Sequence, residues 1–172
     1  MQAAVRPLIE AETSRLAPWA AVAAVVGALL LQAYLPLLSS YANVADLPLL
    51  LTVYLALLRR NPVTGLSLGM GIGLAQDSLS HGPVGLYGII KTVIGYICSS
   101  LSLVLAVESL ATRIVLVYGL YLFHQALFWL LQRVLLSQSA VFAWRRTLLL
   151  AGVNSLAALL IYRFLDRFRE RT

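Results

Sequence analysis

Six apolar runs, each cut from the next by a few polar or helix-breaking residues, constrain this chain more than any other feature. They cover about residues 19–38, 44–58, 63–79, 84–107, 111–136 and 146–165. A helix rises about 1.5 Å per residue, so a bilayer span takes about 17–25 residues. The second and third runs sit at the short end, which suits helices that cross where a bundle is thin or that line a cavity. Backbone polar groups must be satisfied inside a bilayer, which leaves helices or closed barrels. The ten-residue alternation of a barrel is missing. The cuts fall at Arg59-Arg60-Asn61-Pro62, Ser80-His81-Gly82-Pro83, Glu108-Ser109 and Ser137-Gln138-Ser139. The reading is an all-α integral membrane protein, one polytopic domain over residues 1–172 with six transmembrane helices. A count of five is the alternative and would separate the termini.

Composition supports this. Apolar residues make up 60% of the chain and charged residues 12%, against about 45–50% and about 25% in soluble domains. Too few polar side chains remain to cover a soluble surface. The net charge of +6 is no nucleic-acid footprint, because the arginines gather at the ends of apolar runs, where membrane topology places them. With six helices, one side holds Arg6, Arg15, Arg59, Arg60, Arg113, Arg163, Arg167, Arg169 and Arg171, and the other Arg133, Arg145 and Arg146. This bias predicts cytoplasmic termini. The 133–146 segment runs against it and is accommodated as a re-entrant or interfacial stretch, with Phe142 and Trp144 at headgroup depth. Arg6, Glu10, Glu12 and Arg15 break the pattern of a cleavable signal, so the first run is expected to be retained as a helix.

Several intramembrane residues stand out. Gly65, Gly69, Gly73 and Asp77 recur every four residues. Small residues at this spacing let two helices approach closely, either inside the bundle or against another chain. Four-residue steps drift about 40° each, which turns Asp77 about 120° from Gly65 and toward a different neighbour. The fourth run has a small, polar face of Tyr87, Gly88, Lys91, Gly95, Cys98, Ser99 and Ser102, with Ile89, Val93, Ile97 and Val104 toward lipid. Lys91 lies about 12 Å past Pro83 along the helix. A central lysine costs about 2.5–3.5 kcal/mol on insertion scales. Asp77, at similar depth, is the expected ion partner; snorkelling and a ligand or partner contact are the alternatives.

Tyr118, Tyr121, Gln125 and Gln132 share one side of the fifth run, with His124 beside them as a packing histidine or, less simply, a proton relay. Thr147, Ala151, Asn154, Ser155, Ala158 and Tyr162 form a stripe on the sixth, and Ala20, Ala24, Ala28 and Gln32 on the first. Asn154 and Gln32 read as hydrogen-bonding groups between helices. The basic, amphipathic tail from Arg163 to Arg171 is expected against anionic headgroups. Cys98 stands alone and makes no internal disulfide. No catalytic motif, cofactor site or metal-ligand spacing is found, so the expectation is a protein that is not an enzyme.

The stretch Gly69-Met-Gly-Ile-Gly-Leu-Ala-Gln-Asp77-Ser-Leu-Ser-His-Gly82-Pro-Val-Gly85-Leu-Tyr-Gly resembles the MreD family, the rod-shape-determining membrane proteins of bacteria. That family has a Gly-rich helix, an Asp at its outer end, a short turn and a Gly-bearing restart. Asp46-Leu-Pro48-Leu-Leu-Leu-Thr-Val-Tyr54-Leu-Ala-Leu is similar to its second helix. The resemblance implies a scaffold in the bacterial cytoplasmic membrane that binds MreC, a single-pass protein. Through it, the scaffold helps couple MreB filaments to peptidoglycan synthesis by RodA and its transpeptidase. It also implies the fold of the substrate-binding subunits of energy-coupling-factor vitamin transporters, and so a second expectation. In that case Tyr87, Lys91 and Gln125 would line a small-molecule pocket. A homodimer is a further expectation.

Overall fold

The computed structural model describes residues 14–38, 44–80, 82, 83, 85–105, 109–137 and 141–171. Among them are six helices: α1 (Pro18–Leu38), α2 (Leu47–Arg59), α3 (Pro62–Leu79), α4 (Leu86–Leu101), α5 (Leu110–Leu135) and α6 (Trp144–Leu165). A 3-10 turn over Asp166–Phe168 follows α6. Two three-residue strands, β1 (Ser14–Leu16) and β2 (Arg169–Arg171), pair antiparallel with Ser14 opposite Arg171. This ladder joins the start of α1 to the end of α6, so both lie at one end of the bundle. The end of the basic tail thus folds back on the N-terminal segment.

α2 is the axle of the bundle. Every residue from Pro48 to Leu58 is buried, as befits a helix that is apolar on all sides. Asp46 caps it by accepting the Leu49 N–H at 2.9 Å, and Pro48 sits in its first turn, where a missing N–H costs nothing. Neighbouring helices fasten to its backbone. Ser99 of α4 donates to the Ala56 carbonyl at 2.8 Å, and Tyr162 of α6 to the Leu50 carbonyl at 2.9 Å. Asn61 caps α3 by accepting from Val63 and Thr64, with Pro62 at its first position.

α4 is shorter than its apolar run. The chain leaves the helix after Leu101 and tightens into turns, with the Leu103 N–H on Ser100 and that of Val104 on Leu101. Ser102 donates its hydroxyl to the Ser99 carbonyl at 2.8 Å, the kind of local bond by which serines compete with helix continuation. The rest of the expected extension to Val107 lies outside the described residues.

α5 and α6 are each long and apolar enough to cross a membrane. α2 and α4 are apolar but only 13 and 16 residues long. The outer faces are strongly apolar: Trp19, Val22, Val26 and Leu30 on α1, Val115 on α5, and Leu149, Leu156 and Leu160 on α6 are all exposed. The interior, by contrast, holds polar groups, among them Thr52, Asp77, Lys91, Ser99, His124 and Asn154.

Candidate functional site

The tightest helix pair is α3 with α4. A Cβ on Gly65 would strike the Gly95 carbonyl and the Ser99 hydroxyl. One on Gly69 would strike the Lys91 carbonyl, and one on Gly73 the Tyr87 carbonyl. Gly95 of α4 returns the contact against the Gly65 carbonyl. The stripe is therefore filled by a helix of the same chain.

Asp77 faces α4 as well, contrary to the expected 120° divergence. Rows of residues four apart run obliquely to a helix axis, so a neighbour that crosses obliquely can follow the whole row. The carboxylate of Asp77 accepts the N–H of Tyr87 at 3.1 Å and that of Gly88 at 2.8 Å. It thus caps α4 from outside, since Gly85 at the N-cap has no side chain to do so. A Cβ on Gly85 would meet nothing within 4 Å; its φ of 101° lies in the region that glycine enters without strain, and this turn starts α4.

With Asp77 committed to the cap, Lys91 pairs elsewhere. The Lys91 backbone lies in the α3 seam, and its side chain reaches Asp46 at the start of α2, with Nζ 3.3 Å from Oδ1 and 3.5 Å from Oδ2. The expected Lys91–Asp77 pair is corrected to Lys91–Asp46. The ammonium also lies 5.3 Å from the centre of the Tyr87 ring, within cation–π range. His124 of α5 completes the cluster. Its Nε2 stands 3.6 Å from Asp46 Oδ2, neither ring nitrogen makes a hydrogen bond, and the ring stacks with Tyr87 and Phe128.

Asn154 holds the other flank: it accepts the Asp46 N–H at 2.9 Å and donates to the carbonyls of Val44 and Leu150. Gln32 accepts the Leu47 N–H at 3.1 Å. Four helices thus converge on the first residues of α2. Lys91 is 0% and His124 2% exposed. Both side chains are thus enclosed by the neighbouring helices. A second polar lock sits at the ladder end, where Asp166 receives Arg113 at 2.8 Å and the Tyr54 hydroxyl at 2.8 Å.

Among the cavities lined by described residues, two bear on the expected sites. One, of about 280 Å³, is an apolar groove between α1 and α3, with Ala21, Ser67 and Gly71 among its lining residues. The other, of about 300 Å³, lies between α5 and α6 and includes Gln125, which also donates to the Tyr121 hydroxyl at 3.0 Å. Tyr87 and Lys91, expected beside Gln125 in a pocket, line neither cavity.

The role of Asp46 was hidden because its cap position on α2 already accounts for an Asp before a Pro. One signal was available: it is the other acid among the apolar runs near the depth of Lys91. The groove also had a signal. Ser67, Gly71 and Ala75 form a second small row on α3, offset from the glycine stripe by two residues. No protein-family model, curated protein or solved structure matches this chain.

Proposed function

We propose that this chain is a multi-pass protein of the bacterial cytoplasmic membrane, with both termini cytoplasmic. It acts as a non-enzymatic scaffold of the cell-elongation machinery. On this reading it binds an MreC-like single-pass protein and, through it, helps link MreB filaments to RodA and its transpeptidase. The membrane reading is supported by the length of α5 and α6 and by exposed apolar faces, which soluble proteins rarely present so widely. The scaffold reading is supported by the MreD-like segment from Gly69 to Gly88.

The observation that carries the proposal is the groove between α1 and α3. Its walls are apolar, and α3 presents Ser67 and Gly71 to it, both exposed. A Cβ added at Gly71 meets nothing within 4 Å. Small residues spaced by four let a second helix come close without a bulky side chain between the backbones, as α4 does on the opposite glycine row. The same helix thus offers one row to its own chain and one to a partner's transmembrane segment.

Gly71→Leu should leave the thermal midpoint of the purified protein within a few degrees of the parent while removing the partner in affinity purification from native membranes. Equal recovery of the partner with the variant refutes the groove assignment. Failure to recover any MreC-like protein, together with unchanged cell shape on depletion, refutes the scaffold itself. A second copy of the chain in the groove would show as dimers that Gly71→Leu abolishes, and would displace the heterologous partner.

A second reading, a vitamin-type binding subunit of a transporter, draws on the α5–α6 cavity and Gln125. Strong, selective thermal stabilisation by one vitamin would favour it.

A further inference from the structure

We propose that the cavity between α5 and α6 binds the phosphate headgroup of an anionic phospholipid. The inference rests on the membrane residence argued above but not on the scaffold role. Three arginines, Arg133, Arg145 and Arg146, gather where α5 ends and α6 begins, and no acidic residue occurs between Glu108 and Asp166. They sit on the side that the charge bias of the other loops would leave poor in cations. An anion at this place accounts for that departure.

The cavity supplies the matching geometry. It encloses about 300 Å³, and its lining combines Arg146 with the hydrogen-bonding groups of Gln125, Gln132 and Thr147 beside the rings of Trp129 and Phe142. Arg146 is exposed and Thr147 partly so. An arginine fork recognises phosphate oxygens with paired N–H donors. Amides and a hydroxyl complete the polar end.

The aromatic wall fits the glycerol and upper acyl region, the depth at which tryptophans settle in bilayers. Trp129 and Phe142 meet edge to face at 5.9 Å, and Phe142 and Trp144 at 4.5 Å. The first turn of α6, which has no side-chain cap, opens beside Arg146 and adds N–H groups favourable to an anion. A free inorganic phosphate would use the polar end alone and leave the aromatic wall without an occupant.

The test uses the full chain with Trp19→Phe as background, which leaves Trp129 in the cavity lining and Trp144 against Phe142 as the remaining tryptophans. It is reconstituted in bilayers of phosphatidylcholine mixed with phosphatidylglycerol, one or the other carrying brominated chains. Quenching should show preference for phosphatidylglycerol. Arg146→Gln should lower that preference about tenfold, the size of one charge-assisted contact. Gln132→Leu should lower it less. Arg145→Gln, the same charge change on a residue outside the cavity lining, should leave it nearly unchanged.

Equal losses from Arg145→Gln and Arg146→Gln would overturn the site in favour of general surface charge. Saturable thermal stabilisation by inorganic phosphate in detergent, without lipid preference, would overturn the lipid assignment, as would tight binding of a vitamin in the same cavity. Insertion with no preference defeats this inference alone; failure to insert defeats the membrane reading with it.

Discussion

Asp46→Asn should destabilise the protein by about 3–5 kcal/mol, the range for a buried ion pair that loses one partner. The substitution isolates charge from shape. Asparagine is as good a helix cap as aspartate, so the bond from Leu49 survives. What is lost is the countercharge 3.3 Å from Lys91 Nζ, with the lysine 0% exposed and unable to reach water without moving α4. Lys91→Met should cost a similar amount by leaving the Asp46 carboxylate without its countercharge between the packed helices.

The informative variant is the double, Asp46→Asn with Lys91→Met. It removes both charges and keeps the volume, so it should be more stable than either single variant, with a coupling of about 1–3 kcal/mol. Reversible unfolding in mixed micelles, followed by loss of helical signal, measures all three. Additive losses would show that the two residues act separately. The same cycle on Asp77 and Lys91 should give much weaker coupling, because Asp77 spends its oxygens on the Tyr87 and Gly88 N–H groups.

That exchange of partners shows where sequence reasoning reached and where it stopped. Hydropathy and punctuation located six helices because apolar runs and Arg, Pro and Gly breaks act locally, each through its own few residues. The inward faces of α4 and α6 were legible for the same reason: Lys91, Gly95, Cys98 and Ser99, and Ala151, Asn154, Ser155, Ala158 and Tyr162, fall on single helical stripes and are all buried. Pairing across helices was not legible. Two acids lay within reach of one lysine, and the choice between them depended on the unmet N–H groups at the start of α4. Those groups become visible only once Gly85 is seen to provide no cap. The termination of α4 at Leu101 was missed because Leu103, Val104 and Leu105 are as apolar as the helix before them. The apolar pattern extends past the point where serine side chains take over the backbone bonds.

The two small-residue rows of α3 make the sharpest test of which face is filled, because the same substitution should change sign two residues apart. At Gly69 a methyl group would overlap the carbonyl of Lys91 and come within 3.2 Å of Thr92 Cα. Both are backbone in a helix and cannot turn aside, so α3 and α4 must separate. Separation also loosens the contacts at Gly65 and Gly73 and the Asp77 cap. Gly69→Ala should therefore cost about 2–3 kcal/mol, the upper part of the range for overpacking, despite the better helix propensity of alanine. At Gly71 the methyl meets nothing within 4 Å. Gly71→Ala should then stabilise the isolated chain by about 0.5–1 kcal/mol, the ordinary gain from replacing glycine inside a helix. Paired unfolding measurements on the two variants check both signs. If Gly71→Ala were as damaging as Gly69→Ala, the second row would already be packed within the chain, and the groove would have no room for a partner's helix. If Gly69→Ala were neutral, the α3–α4 seam would be looser than its backbone contacts require, and the cap that diverts Asp77 from Lys91 would lose its basis.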